Sequence, residues 1–225
     1  MHTGFLLIIS APSGAGKTTV CRRLLARDRS LRYSVSYTTR LPRAGEVPGK
    51  HYHFVSEEDF RRRARRGEFL ETAVVHGNLY GTPRRFISEQ IRGGRVVLGD
   101  IDVQGAAAIT RRMPEAVTVF LLPPDLKTLV QRLRDRGEAP GNVAVRLETA
   151  RSEIRVASSF DYLVINDRLP EAVREVAAIA DLETRKTRRN LDKVKVFGKQ
   201  LFRHGRTRLP AGRSEGRLSG GQKIK

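Results

Sequence analysis

Residues 5–21, FLLIISAPSGAGKTTVC, decide how the rest of the chain is read. Five apolar residues, Phe5, Leu6, Leu7, Ile8 and Ile9, read as a strand that runs into a turn and then a helix beginning near Lys17. Between them Ser10, Ala11, Pro12, Ser13, Gly14, Ala15 and Gly16 are small enough for the backbone to curl with successive N–H groups pointing inward. The positive N-terminal end of the helix adds to those donors, so the loop is built to hold an anion such as nucleotide phosphates. Lys17 can then reach the β- and γ-phosphates, the Thr18 hydroxyl can ligate Mg²⁺, and Thr19 follows on the first helical turn. The pattern G-x-x-x-x-G-K-[ST] is missed at one place, where Ala11 replaces a glycine that shapes a turn and does no chemistry.

Composition limits what can be built around this loop. A chain of 225 residues suits one α/β domain with small insertions. Its formal charge of +19 is uneven: residues 184–225 hold 14 Lys/Arg against 2 Asp/Glu, leaving 29 against 22 for residues 1–183. The basic excess therefore belongs mainly to the C-terminal end, which reads as a largely disordered tail with a short amphipathic piece near 194–202. Charge of that kind allows non-specific, salt-sensitive contact with nucleic acid. The one cysteine, Cys21, excludes an internal disulfide, reads as a buried small hydrophobe, and fits a reducing, cytoplasmic compartment. No apolar stretch approaches the roughly 18 residues that span a bilayer, so no membrane partner is expected.

Along the chain, residues 33–37 read as a short strand, followed by TTRLPRAGE, in which Arg40 and Arg43 form a fork for a phosphate monoester. Residues 51–55 read as a strand, 57–66 as a helix capped by Ser56 and stopped at Gly67, and 69–75 as a strand carrying Glu71. Residues 76–82, HGNLYGT, read as a turn, so that 33–82 is a small β-rich insertion. Residues 96–102 form a buried strand delivering Asp100 and Asp102 to a sheet edge, where an acid can hold Mg²⁺ through water. A strand over 116–122 leads to a helix capped by Asp125 and running to Arg136. A breaker-flanked loop follows, then a helix capped by Asn142 that carries Arg146. These two helices, about 132–152, read as a lid. A last strand over 162–165 ends in Asn166 and Asp167 before a closing helix to about residue 183. The alternation predicts an α/β fold with a parallel sheet flanked by helices.

The segments APSGAGKTT, SVSYTTRLPRAGEVPGKHYHFV, GEFLE, GNLYGTP, DIDVQGA, LLPP and FDYLVIND stand in the order and spacing of guanylate kinases, and the chain resembles that family over residues 4–180. The resemblance implies a phosphate-loop enzyme that phosphorylates GMP and dGMP with MgATP, built from a core, a GMP-binding insertion and a helical lid. It implies that Ser36, Glu71 and Asp102 read guanine, and that Arg40, Arg43, Tyr52 and Tyr80 hold the GMP phosphate with Thr82 beside the base or sugar. Residues Ala11, Pro12, Ser13, Gly14, Ala15, Gly16, Lys17, Thr18 and Thr19 would bind ATP, with Asn166 and Asp167 along the adenine. Thr18 would ligate the metal with Asp100 behind it. Lys17, Arg43, Arg136 and Arg146 would serve catalysis. Relative to the family, the loop GEAPGNVAVR is about one residue short and lacks its acidic run. A catalytically inactive scaffold domain of the same family would typically lack the phosphate loop, and a kinase of a phosphorylated sugar would lack Glu71 and the arginine–tyrosine clamp.

Overall fold

The apolar run at the front of the chain becomes β1 (Phe5–Ser10), buried at every residue. In the computed structural model, which describes residues 3–75, 77–135 and 140–204, β1 is the middle of a five-stranded sheet. Its neighbours are β7 (Val96–Asp100) and β8 (Val117–Leu122), with β2 (Arg32–Tyr33) and β9 (Tyr162–Ile165) outside them, every pairing parallel. Successive side chains alternate across a sheet. Phe5, Leu7 and Ile9 therefore share one core with Val20, Cys21 and Leu24 of α1 (Lys17–Arg27) and Val173, Val176 and Ile179 of α7 (Leu169–Arg185). On the other face Leu6 and Ile8 meet Ile87 of α3 (Arg84–Arg92) and Ala106 and Ile109 of α4 (Val103–Arg112). The sheet is covered on both sides, and the strand order reverses beside β1, where such sheets bind ligands at their carboxyl edge.

The insertion is a second sheet in the order β4 (His53–Phe54), β3 (Tyr37–Thr38), β6 (Asn78–Pro83), β5 (Phe69–Val75). It is closed by α2 (Glu57–Arg65), where the Ser56 hydroxyl accepts the Asp59 N–H at 3.1 Å and Phe60 stacks on Phe69 at 4.7 Å. Two expectations change here. Residues 33–37 are not one strand: Ser34 N–H still donates to Leu98 of the parallel sheet, whereas the Ser36 carbonyl already accepts from His53 of the second. Residues 78–83 are strand, not turn. Gly81 reads locally as a turn residue, but it is there because a Cβ would lie 2.9 Å from the Phe69 ring and 3.0 Å from Phe60.

Asp125 caps α5 (Leu126–Arg134) through the Thr128 N–H, as its sequence predicts. The next helix, α6 (Pro140–Arg155), starts two residues before the expected cap at Asn142, with a proline in a favoured first helical position. Leu129 and Leu133 of α5 pack on Val143 and Ala150 of α6. At the C-terminal end α7 outruns the predicted stop at residue 183, and a short 3₁₀ turn, Thr187–Arg189, carries the compact unit to Asn190. A separate unit begins at Leu191, and its described part is α8 (Leu191–His204), a helix that takes in the short amphipathic piece expected near 194–202 and extends it at both ends. Among the described residues no helix is long and apolar enough to cross a membrane.

Candidate functional site

The loop after β1 takes its shape from its glycines. Gly14 and Gly16 have φ of +93° and +92°, and a Cβ on Gly14 would come within 2.9 Å of Leu133. Gly16 faces Asn166, whose Nδ2 would be 2.6 Å from an added Cβ. Asn166 is buried and donates Nδ2–H to the Ala15 carbonyl at 2.7 Å, so this residue props the phosphate loop from beneath. It and Asp167 also border a shallow cavity of about 280 Å³ with Gly14, Gly16, Thr19 and Arg132.

On the other side of the loop lies a cavity of about 600 Å³ lined by Ala11, Pro12, Ser13, Lys17, Thr18 and Asp102. Lys17 Nζ sits 2.9 Å from Asp100 Oδ1, and Thr18 Oγ1 donates to Asp100 Oδ2 at 3.0 Å. Burial works to lower the Lys17 pKa, but the Asp100 carboxylate and its hydrogen bond outweigh it and the pKa is raised. The ammonium is therefore fixed in its charged form at the loop.

Thr18 also lines a neighbouring cavity of about 810 Å³, together with Asp100, Arg40, Arg43, Tyr52 and Tyr80. Arg40 is held by Glu46 at 2.8 and 3.0 Å, donates its Nε–H to the Tyr80 hydroxyl at 3.3 Å, and lies 5.5 Å over the Tyr52 ring. Glu46 also accepts the Arg43 N–H at 2.7 Å, so a single carboxylate orders both arginine positions. Burial raises the Glu46 pKa, but the Arg40 hydrogen bond reverses the shift and holds it below the usual range. Tyr52 is pushed up to about 12 by burial and stays a neutral hydroxyl. Glu46 carries no role on sequence grounds beyond its place three residues after Arg43, across a turn.

Glu71, Thr82 and Ser36 line neither cavity. Glu71 is buried, accepts the Thr82 hydroxyl at 2.6 Å, and has no partner for Oε2 among the described residues. Burial pushes its pKa up to about 7. Register explains how these residues relate to the arginine clamp. Thr38 pairs directly with Tyr80, and Tyr37 with Gly81, so one further step sets Ser36 across from Thr82. Tyr80 and Thr82 alternate on one face of β6, about 7 Å apart. Asp102 Oδ1 caps α4, accepting the N–H groups of Gln104 and Gly105 at 2.8 and 2.9 Å, and the residue borders the loop cavity. Helix capping is a local role that its position before Val103 already allowed.

From α6, Arg146 Nη1 donates to the Ser13 hydroxyl at 2.7 Å, and Glu153 accepts the Ser13 N–H at 3.2 Å. Burial raises the Glu153 pKa. Glu153 was not foreseen, because a glutamate on a polar helix carries no local signal of a contact 140 residues away. Arg136 lies outside the described residues.

A family model described as Guanylate kinase matches residues 4–183. The chain is 47% identical over 188 residues to the guanylate kinase of Symbiobacterium thermophilum, covering 83% of this chain and 89% of that one. It is 50% identical over 187 residues to that of Nitrosomonas europaea, covering 83% and 93%. The crystal structure of guanylate kinase from Anaplasma phagocytophilum matches with a TM-score of 0.71 at 35% identity, over 84% of this chain and 90% of that one.

Proposed function

The chain belongs to the guanylate kinase family, and from that premise we propose which of its residues carry phosphate from ATP to GMP. It is an ATP-dependent kinase of GMP; dGMP, which differs only at the 2′ position, is proposed as a second acceptor, and the cytoplasm as its compartment. One observation carries the assignment of roles. Thr18 lines both the phosphate-loop cavity and the arginine–tyrosine cavity, and Asp100, which lines the second, holds Lys17 of the first, so a triphosphate in one would end where a monophosphate in the other begins.

In this reading residues 11–19 hold the ATP phosphates through backbone N–H groups and the α1 N-terminus, and Asn166 holds the loop in shape. Arg40, Arg43, Tyr52 and Tyr80 hold the GMP phosphate. The free Glu71 Oε2 accepts from the guanine N1–H and amino group, with Ser36 and Thr82 beside it; adenine lacks that pair of donors. Asp102 shapes the start of α4 next to Glu71, whose carboxylate lies 3.3 Å from where a Gly105 Cβ would be. Thr18 and Asp100 offer hard oxygen ligands, which suits Mg²⁺ completed by phosphates and water. Bound there, the ion would neutralise charge on the β- and γ-phosphoryl oxygens.

The acceptor oxygen of GMP is already anionic near neutral pH, so no strong base is required. What the protein supplies is alignment and positive charge: Lys17 fixed by Asp100, Arg43 beside the acceptor, and Arg146 and Arg136 from the lid. The test is a nucleotide panel of GMP, dGMP, AMP, UMP and CMP with MgATP, followed by ADP release. Turnover is expected with GMP and dGMP alone. Lys17→Ala should lower kcat by about 10²–10³-fold; near-normal turnover would overturn the assignment of the loop.

A further inference from the structure

The ordered helix in the C-terminal unit has a composition that the kinase reading does not use. Leu191, Val194, Phe197, Leu201 and Phe202 of α8 are all exposed, Phe197 at 66% and Phe202 at 82%. At about 100° per residue they fall within an arc of about 140°, together with Gly198, and only Val196 lies on the opposite side. Lys195 and Lys193 border this stripe on its two sides, and Lys199 stands beyond Lys195. Asp192 is the one acid of the helix, and residues 205–225 add 6 Lys/Arg against 1 Asp/Glu.

We propose that α8 is a membrane-surface anchor that lays its leucine–phenylalanine stripe into the headgroup region of an anionic bilayer. An apolar stripe with lysines on both borders is the arrangement in which aliphatic stems lie along the acyl boundary while ammonium groups meet lipid phosphates. Charge complementarity selects the occupant. A second copy of this helix would bring lysine borders of like sign together, with Asp192 alone to offset them. Nucleic acid would be served by the charge but gives no reason for five exposed large apolar side chains, two of them phenylalanine. The attachment is peripheral, since 14 residues are too few to span a bilayer. It revises the expectation of no membrane partner, which rested on the lack of a long apolar run. It does not depend on the chemistry of the kinase site.

The test is flotation of the full chain with phosphatidylcholine vesicles and with mixed phosphatidylcholine–phosphatidylglycerol vesicles, alongside binding to single-stranded RNA. Binding is expected to the mixed vesicles and not to the neutral ones, and to weaken with added salt. Phe197→Ser with Phe202→Ser should abolish vesicle binding and leave RNA binding and GMP turnover unchanged. Lys195→Gln with Lys199→Gln, which keeps the stripe and good helix formers, should weaken vesicle binding by roughly tenfold or more. The proposal is overturned if the full chain does not float with the mixed vesicles, if the double serine variant floats as well as the parent, or if the stripe instead holds two chains together in sedimentation.

Discussion

Glu71 is the residue whose chemistry is most exposed to experiment. One oxygen is held by Thr82, the other is free, and burial lifts its pKa to about 7. Guanine donors require the carboxylate, so KM for GMP should rise roughly fivefold between pH 7 and pH 6 as Glu71 protonates. Glu71→Gln should have a high KM that is flat over that window once the titration of GMP itself, common to both proteins, is divided out. Stability should move the other way. The folded pKa lies above the unfolded value of 4.5, so the contribution is present below pH 4.5 and is lost as pH rises through 7. Relative to Glu71→Gln, the parent should therefore lose up to about 3 kcal/mol between pH 4.5 and 8 by urea denaturation. A GMP affinity indifferent to pH in the parent would mean that the free oxygen does not meet the base.

At the scale of elements, the strand–loop–helix unit depends on its last glycine. Gly16 combines a left-handed φ with a neighbour, Asn166, that leaves no room for a methyl group. Gly16→Ala should strain the backbone and push Asn166 off the Ala15 carbonyl, costing about 2–3 kcal/mol in stability and raising KM for ATP. Gly141 of α6, with nothing within 4 Å of an added Cβ, is the control: Gly141→Ala should be neutral or stabilise by up to about 1 kcal/mol. Thermal denaturation of the two variants side by side distinguishes crowding at the loop from a general effect of alanine. The loop itself was legible from residues 10–19, because its geometry is local. Its prop was not, since Asn166 arrives from 151 residues away.

At the scale of the whole compact unit, the fold is closed by a latch just beyond residue 183, where the match to the family model stops. Glu183 is buried and accepts from the Tyr162 hydroxyl at 2.6 Å, with Lys186 at 2.5 Å and Arg189 at 3.4 Å. Arg189, itself buried, lies 4.1 Å over the Phe5 ring and donates to the Glu115 carbonyl, while its own carbonyl accepts the Thr3 N–H at 2.7 Å. Residues 184–190 thus tie α7 to the start of β1. Glu183→Ala leaves Arg189 buried beside an empty carboxylate site and should cost about 3–5 kcal/mol, read by chemical denaturation. A chain ending at residue 183 should be destabilised similarly, whereas one ending at 190 should keep the parent stability.

Local chemistry made the phosphate loop, the Ser56 and Asp125 caps, the buried strands and the Arg40–Arg43 fork readable in order along the chain, because each is dictated by neighbours a few residues apart; Tyr80, 40 residues from Arg40, was reached only through the family resemblance. Folding decided what depends on close approach between distant segments. Gly81 is a strand residue because two phenylalanine rings fill the space of its side chain, and Asp102 spends one oxygen on a helix end. Glu46 orders two arginines, and Glu153 reaches the loop from the lid. In the C-terminal unit the amphipathic piece near 194–202 was legible, but the full length of its helix was not, since a high density of charge masks an apolar stripe that appears only when the residues are wound at 3.6 per turn.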